Sequence, residues 1–293
     1  PGIDNAGPFL AMNPFSSRCC QHNHGFGWPY YAEHLILATP DNGVAAVLYN
    51  ACKAKIKAGD GTEITVRENT CYPFEEKTRF VFNMEKNVSF PLYLRIPQWC
   101  NGASVAVNGK TCASGLAPGK YVRIEREWSD GDEVVLNLPM DYSSRRWQVN
   151  KNSVSINYGP LTLSLKIEEE YKRKLSTETA IWDSKWQSGA DVSAWPSYEI
   201  YPAGKWNYAL ETDAPFVLER REWPSDDNPF TLSSVPMAFK AKGRLVPGWK
   251  IDEYGLCGVL PYEDAVKSER VDDITLVPMG AARLRISAFP VSE

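Results

Sequence analysis

From residue 44 onward the chain is written as short runs in which apolar and polar residues alternate, each closed by Gly, Asn or Asp. Successive side chains of a strand point to opposite faces, so such a run offers one face to a core and one to water. The stretch 89–96 is the clearest, with Phe90, Leu92, Leu94 and Ile96 on one face and Ser89, Pro91, Tyr93 and Arg95 on the other. Residues 62–66 and 78–82 alternate in the same way. The run 104–107 leads into Asn108-Gly109, both of which tolerate positive φ and so close a tight hairpin. Asp130-Gly131-Asp132 makes a second tight turn between 121–124 and 133–138. Strands at this spacing, without helices between them, call for antiparallel sandwiches rather than a βαβ layout.

The expected fold is therefore all-β. The 293 residues suffice for about two domains, each with its own core. Two β-sandwich domains are expected at 41–143 and 144–270, with residues 271–293 returning one or more strands to the first. Residues 1–25 read as irregular chain, and a short helix fits 28–37, where Pro29 falls in the first turn. Further on, 153–157 and 161–167 read as strands, the charge run 168–174 as a solvated loop or helical turn, and 235–245, 274–277 and 282–289 as strands. Five of the ten tryptophans (Trp182, Trp186, Trp195, Trp206 and Trp223) fall in one stretch, as a core or as a platform on which sugars stack.

Charge excludes some functions. With 32 Lys and Arg against 36 Asp and Glu, the chain carries no electrostatic footprint for nucleic acid. No apolar run reaches the roughly 18 residues of a membrane span. Pro1-Gly2-Ile3-Asp4 lacks an initiator Met and the pattern of a signal peptide, which points to a piece of a longer protein.

The chemistry-bearing residues are unevenly placed. All three histidines, His22, His24 and His34, lie within 13 residues, and the adjacent pair Cys19-Cys20 stands just before them. Thiolate and imidazole are donors that zinc prefers. The spacing does not suit one closed tetrahedral site, so one or two of these residues joining ligands from elsewhere is the better geometry; inert thiols beside loop histidines are the plain alternative. The other cysteines (Cys52, Cys71, Cys100, Cys112 and Cys257) read as small core residues, and Asp130/Asp132 and Asp226/Asp227 as turn carboxylates.

Taken in order, these segments resemble a known family. Cys19-Cys20-Gln21-His22-Asn23, the stretch 27–37, Asp41-Asn42-Gly43 and the strand after it are similar to the junction segment of glycoside hydrolase family 127, the β-L-arabinofuranosidases. The likeness continues through Leu92-Tyr93-Leu94-Arg95-Ile96-Pro97-Gln98-Trp99, Val107-Asn108-Gly109-Lys110, Trp128-Ser129-Asp130-Gly131-Asp132, Leu138-Pro139-Met140 and Tyr158-Gly159-Pro160-Leu161. It covers most of the first 165 residues and, more loosely, Leu276-Val277-Pro278.

The resemblance implies an upstream (α/α)6 barrel, of which residues 1–40 would be the last loop and helix, followed by the sandwiches. It implies Cys19 as the nucleophile of a retaining glycosidase and zinc on Cys20 and on Cys19 itself. The acid/base Glu and the remaining zinc ligands would belong to the barrel, so this chain alone is expected to be inactive. The substrate would be an oligosaccharide or glycoside, an L-arabinofuranoside or a related plant-type glycan of a bacterial enzyme. Gln21-His22 departs from the Pro-Pro that follows the two cysteines in relatives, which makes His22 and His24 candidate contacts to substrate or metal. The competing classes are a non-catalytic carbohydrate-binding or structural sandwich with an inert Cys-Cys pair, and a structural zinc site ligated locally.

Overall fold

The computed structural model describes residues 9–10, 18–175, 189, 191–194, 197–253, 255–262 and 269–291, with backbone alone at 9–10, 18–22, 24 and 192. The first elements are β1 (Phe9–Leu10), α1 (Arg18–Glu33), β2 (Ile36–Ala38), β3 (Val44–Ala46), β4 (Cys52–Ala58), β5 (Thr62–Thr70) and β6 (Lys77–Asn83). Then follow β7 (Val88–Arg95), β8 (Ala103–Val107), β9 (Lys110–Leu116), β10 (Tyr121–Trp128), β11 (Glu133–Asn137), β12 (Tyr142–Trp147), β13 (Ser153–Tyr158) and β14 (Leu161–Leu165). The last are β15 (Glu169–Lys174), β16 (Ser197–Pro202), β17 (Tyr208–Leu210), β18 (Val217–Arg220), β19 (Met237–Leu245) and β20 (Val271–Pro278). The chain forms two compact units, one of Asn23–Tyr142 with Tyr158–Pro160, the other of Pro1–His22, Ser143–Asn157 and Leu161–Glu293.

The first unit is a sandwich of a four-stranded sheet, β10-β7-β3-β2, and a six-stranded sheet, β4-β5-β6-β11-β8-β9. The alternation of β7 is what builds it: Phe90, Leu92, Leu94 and Ile96 are all essentially excluded from water. Phe82 of the larger sheet meets Phe90 and Trp128 of the smaller one, with ring centroids 5.0–5.9 Å apart. The buried indole N–H of Trp128 donates to the Phe90 carbonyl at 2.9 Å, so the largest core side chain leaves no orphaned donor. The β8–β9 turn has Asn108 and Gly109 at φ 49° and 78°, as the dipeptide requires.

The second unit has a seven-stranded sheet, ordered β12-β13-β14-β20-β19-β17 with β18 also paired to β19, and a three-stranded sheet, β1-β16-β15. Phe239, Leu276 and Phe289 fill its core.

Three expectations are corrected. Of residues 271–293, the described part, 271–291, completes the second sandwich rather than returning to the first: β20 lies between β14 and β19, with Leu276 opposite both Leu165 and Phe239, and Phe289 bridges to Val154. Alternation fixes which face of a strand is buried but not which sheet receives it. The charge run 168–174 is strand β15, whose exposed charges occupy the edge of its sheet, where they discourage pairing with another chain. The helix runs over Arg18–Glu33 rather than 28–37, and Ile36–Ala38 is a strand. No breaker interrupts 18–24, and the two glycines and Pro29 that follow weigh less than the surrounding structure, since propensity is only a weak prior.

Replacing Trp128 with Ala is expected to destabilise the first sandwich by about 3–5 kcal/mol, through lost packing and an orphaned carbonyl. Urea unfolding of the chain, followed by circular dichroism, checks this; an unchanged midpoint would show that the aromatic contact carries no stability.

Candidate functional site

Cys19, Cys20, His22 and His24 all stand on the backbone of α1, with Cys20 and His24 one helical turn apart. Their side chains lie outside the described residues. The helix is intrinsically weak, because it contains Gly25, Gly27 and Pro29 and has neither an acidic first turn nor a basic last turn. Phe26, Trp28 and Tyr30 are 65%, 58% and 65% exposed. Side chains two apart on a helix diverge by about 200°, so this aromatic surface wraps α1 rather than lining one face.

Its attachment to the first sandwich is Tyr31, which packs against the core cluster. The Tyr31 hydroxyl donates to the Tyr49 carbonyl at 3.4 Å and is hydrogen-bonded by the Asn50 side chain. The Asn50 backbone N–H donates to Glu68 Oε1 at 3.2 Å, and the Cys52 thiol donates to Glu68 Oε2 at 3.7 Å. A polar relay thus runs from the end of α1 through Asn50 to a carboxyl that is 1% exposed. Burial pushes Glu68 up to about 8, against which the Asn50 and Cys52 hydrogen bonds act only in part. Burial, aided by Glu68, pushes the Cys52 thiol up to about 11. Both are therefore protonated at neutral pH, and the relay is an anchor of neutral hydrogen bonds.

The sequence reading missed Glu68, although a signal was there. Residues 64, 66 and 68 share one face of β5, and Ile64 and Val66 are core, so the alternation itself carries a carboxyl inward.

The other candidates are placed as follows. His34 is exposed, with Nδ1 2.6 Å from the Tyr30 carbonyl and 3.6 Å from Glu33 Oε1, after the end of α1. Asp132 accepts from Asn108 Nδ2 at 2.7 Å and from the Ser129 N–H at 2.9 Å, and Asp226 accepts from the Asn228 N–H, so both carboxylate pairs hold turns. Trp206 packs edge-on to Trp249, and Trp223 donates to Asp227; Trp182, Trp186 and Trp195 lie outside the described residues. Cys71 is half-buried; Cys52, Cys100, Cys112 and Cys257 are free thiols, of which Cys112 and Cys257 are exposed, and desolvation raises Cys100 to about 11 and Cys112 and Cys257 above their usual value. Among the described residues no three His, Cys, Asp or Glu side chains gather to hold a metal. The donors of α1 match zinc in chemistry, and a complete ligand set would draw on residues beyond those described.

Comparison with known proteins follows the same lines. Residues 43–140 match the GH127 middle domain of the β-L-arabinofuranosidases. Among solved structures, a glycoside hydrolase matches at TM-score 0.65 and 21% identity, over 95% of this chain and 40% of its own. A GH127 β-L-arabinofuranosidase from Geobacillus stearothermophilus T6 matches at 0.60 and 21%, over 95% and 37%. A GH127 β-arabinofuranosidase matches at 0.62 and 17%, over 97% and 40%. No curated protein matches the chain. The chain thus has the fold of these enzymes over about two fifths of their length, and the resemblance read from its sequence is borne out.

Glu68 makes a testable prediction. Its pKa is raised from an ordinary 4.5 to about 8 on folding. Below 4.5 the carboxyl is protonated in both states. Between 4.5 and 8 only the unfolded chain ionises, so stability falls as pH rises through that window and levels off above it. Glu68→Gln should remove this loss, on the order of 4 kcal/mol for a shift of that size, and unfold later than the parent at pH 8 but not at pH 4.5. Melting curves at the two pH values check it, and equal shifts at both would contradict it.

Proposed function

We propose that a chain carrying the GH127 middle-domain likeness, and the fold of those enzymes over two fifths of their length, is the C-terminal portion of a retaining glycoside hydrolase. Its substrates are L-arabinofuranosides or related plant-type glycans. The observation that carries this reading is the position of the adjacent Cys19-Cys20 on α1, immediately before the matched domain.

Retention of configuration requires a nucleophile on one face of the anomeric carbon and a proton donor on the other. In this reading the Cys19 thiolate attacks the anomeric carbon to form a C–S bond while the glycosidic C–O bond breaks. The departing oxygen takes a proton from an acid residue contributed by the upstream barrel. That residue, then a base, removes a proton from water, which displaces the sulfur and restores the thiolate. Cys20, with Cys19, would hold zinc, and the ion supplies positive charge that favours thiolate over thiol. His22 and His24 lie one and three residues past Gln21, where they would contact the sugar or join the metal. The exposed Phe26, Trp28 and Tyr30 support the reading, since they are the surface against which an upstream barrel would pack.

The chain by itself is expected to show no turnover of an aryl β-L-arabinofuranoside, because it lacks the acid/base residue. Clear turnover would overturn the assignment of that residue to the barrel. In the longer protein, Cys19→Ser should abolish hydrolysis while leaving the circular dichroism spectrum unchanged, and a fully active Cys19→Ser enzyme would refute the nucleophile.

A further inference from the structure

In the second unit, strands β12, β13 and β14 and the segment at Ser287 line a cleft of about 530 Å³. Its size is within the range of small-molecule sites, and its lining is unusual in chemistry. Trp147 of β12 is half-buried, and its indole N–H donates to Ser155 Oγ of β13 at 2.9 Å, which fixes the plane of the ring. The Arg145 guanidinium lies over that ring, 3.7 Å from its centroid, with no carboxylate partner among the described residues. Asn157 of β13 accepts from the Thr162 hydroxyl of β14 at 2.9 Å, which spends its amide oxygen and leaves the amide N–H groups available. Ser287 Oγ is buried at the wall without a hydrogen-bond partner.

An unmet buried hydroxyl is costly, and native structures hold few of them. Here it adjoins a concave sheet face that carries an indole, unspent amide donors and a guanidinium without a carboxylate, and no acidic side chain lines the cleft. A sugar ring matches this lining. Its C–H face stacks on an aromatic ring, and each hydroxyl both donates and accepts. The single cation, the Arg145 guanidinium seated on the indole, can donate hydrogen bonds to uncharged sugar hydroxyls.

We propose that the β12-β13-β14 face is a non-catalytic subsite for a neutral oligosaccharide, with the Arg145 guanidinium stacked on Trp147 as its flat wall, Arg145 and Asn157 donating to sugar hydroxyls, and Ser287 completing its hydrogen bonding on the ligand. The ligand class follows from this lining and does not rest on the hydrolase reading. A chain that hydrolyses nothing can pass the test below, and an active enzyme can fail it.

The test is titration of the whole chain with arabinotetraose, xylotetraose, cellotetraose and tetragalacturonate, followed by calorimetry and tryptophan fluorescence. Saturable binding of at least one of the three neutral tetramers is expected. Arg145→Ala, which alters an exposed side chain, and Asn157→Ala should each weaken it about ten-fold, the scale of one lost polar contact. Ser287→Ala should weaken it as well without lowering the unfolding midpoint, because the hydroxyl it removes is unpaired in the free protein. No binding of any neutral tetramer, binding confined to tetragalacturonate, or neutral binding undiminished in all three variants would each overturn the proposal.

Discussion

The first sandwich depends on one contact between its sheets, the meeting of Phe82, Phe90 and Trp128. A sheet with one apolar face is stable only when that face is covered. These rings belong to β6, β7 and β10, so both layers are committed to the same core. The hydrogen bond from Trp128 to the Phe90 carbonyl allows so large a side chain to be wholly buried without a polar penalty. Around this contact the strand order is free to be complex, and it is: β3 joins β7 in parallel, while β10 joins β7 and β2 joins β3 antiparallel. What is conserved through that complexity is parity, the side of the strand on which each apolar residue falls.

The anchor of α1 works on a different principle. Tyr31, Asn50, Cys52 and Glu68 form a small polar set at the margin of an apolar core, where hydrogen bonds are strong because the surroundings are dry. Burial favours the neutral carboxyl of Glu68, and the Asn50 N–H and the Cys52 thiol, both donating to it, offset that only in part. Neutrality is thus the cheaper solution. It ties the end of a helix with little intrinsic stability to a rigid sheet, which is a geometric requirement for any chemistry that the residues on α1 perform.

How much of this was legible in the sequence varied with how strongly a pattern was forced. The alternation of β7, with Phe90, Leu92, Leu94 and Ile96, could hardly be read otherwise, and Asn108-Gly109 specified its own turn. Strand β4 was overlooked because its inward residues, Cys52, Ala54, Ile56 and Ala58, are mostly small and its outward ones are lysines, so the apolar signal is faint although the period is regular. The charged β15 was taken for a loop for the related reason that an edge strand owes its place to backbone pairing and not to side chains. Glu68 was hidden by its type, since a carboxyl inside a strand reads as solvent-facing unless parity is followed through to its end. The sheet that receives β20 is fixed by contacts across more than a hundred residues, which no local pattern encodes. The Cys19-Cys20 pair stood out by adjacency and by the histidines after it, while its role comes only with the family resemblance.

The thiols also separate into two classes by environment. Cys52, Cys100, Cys112 and Cys257 have pKa values raised, chiefly by burial, and a thiol shifted upward is a poor nucleophile near neutral pH because the thiolate is the reacting form. Burial thus keeps Cys52 and Cys100 in the thiol form near neutral pH. A reactive Cys19 needs the opposite environment, one that supplies positive charge to the sulfur. The helix that carries it is attached to the sandwich at its far end, through Tyr31, and offers no basic residue between Arg18 and that attachment except histidines. The nucleophile reading thus turns on positive charge at the sulfur, for which the adjacent Arg18, the two histidines, a bound cation or a packed domain are the available sources.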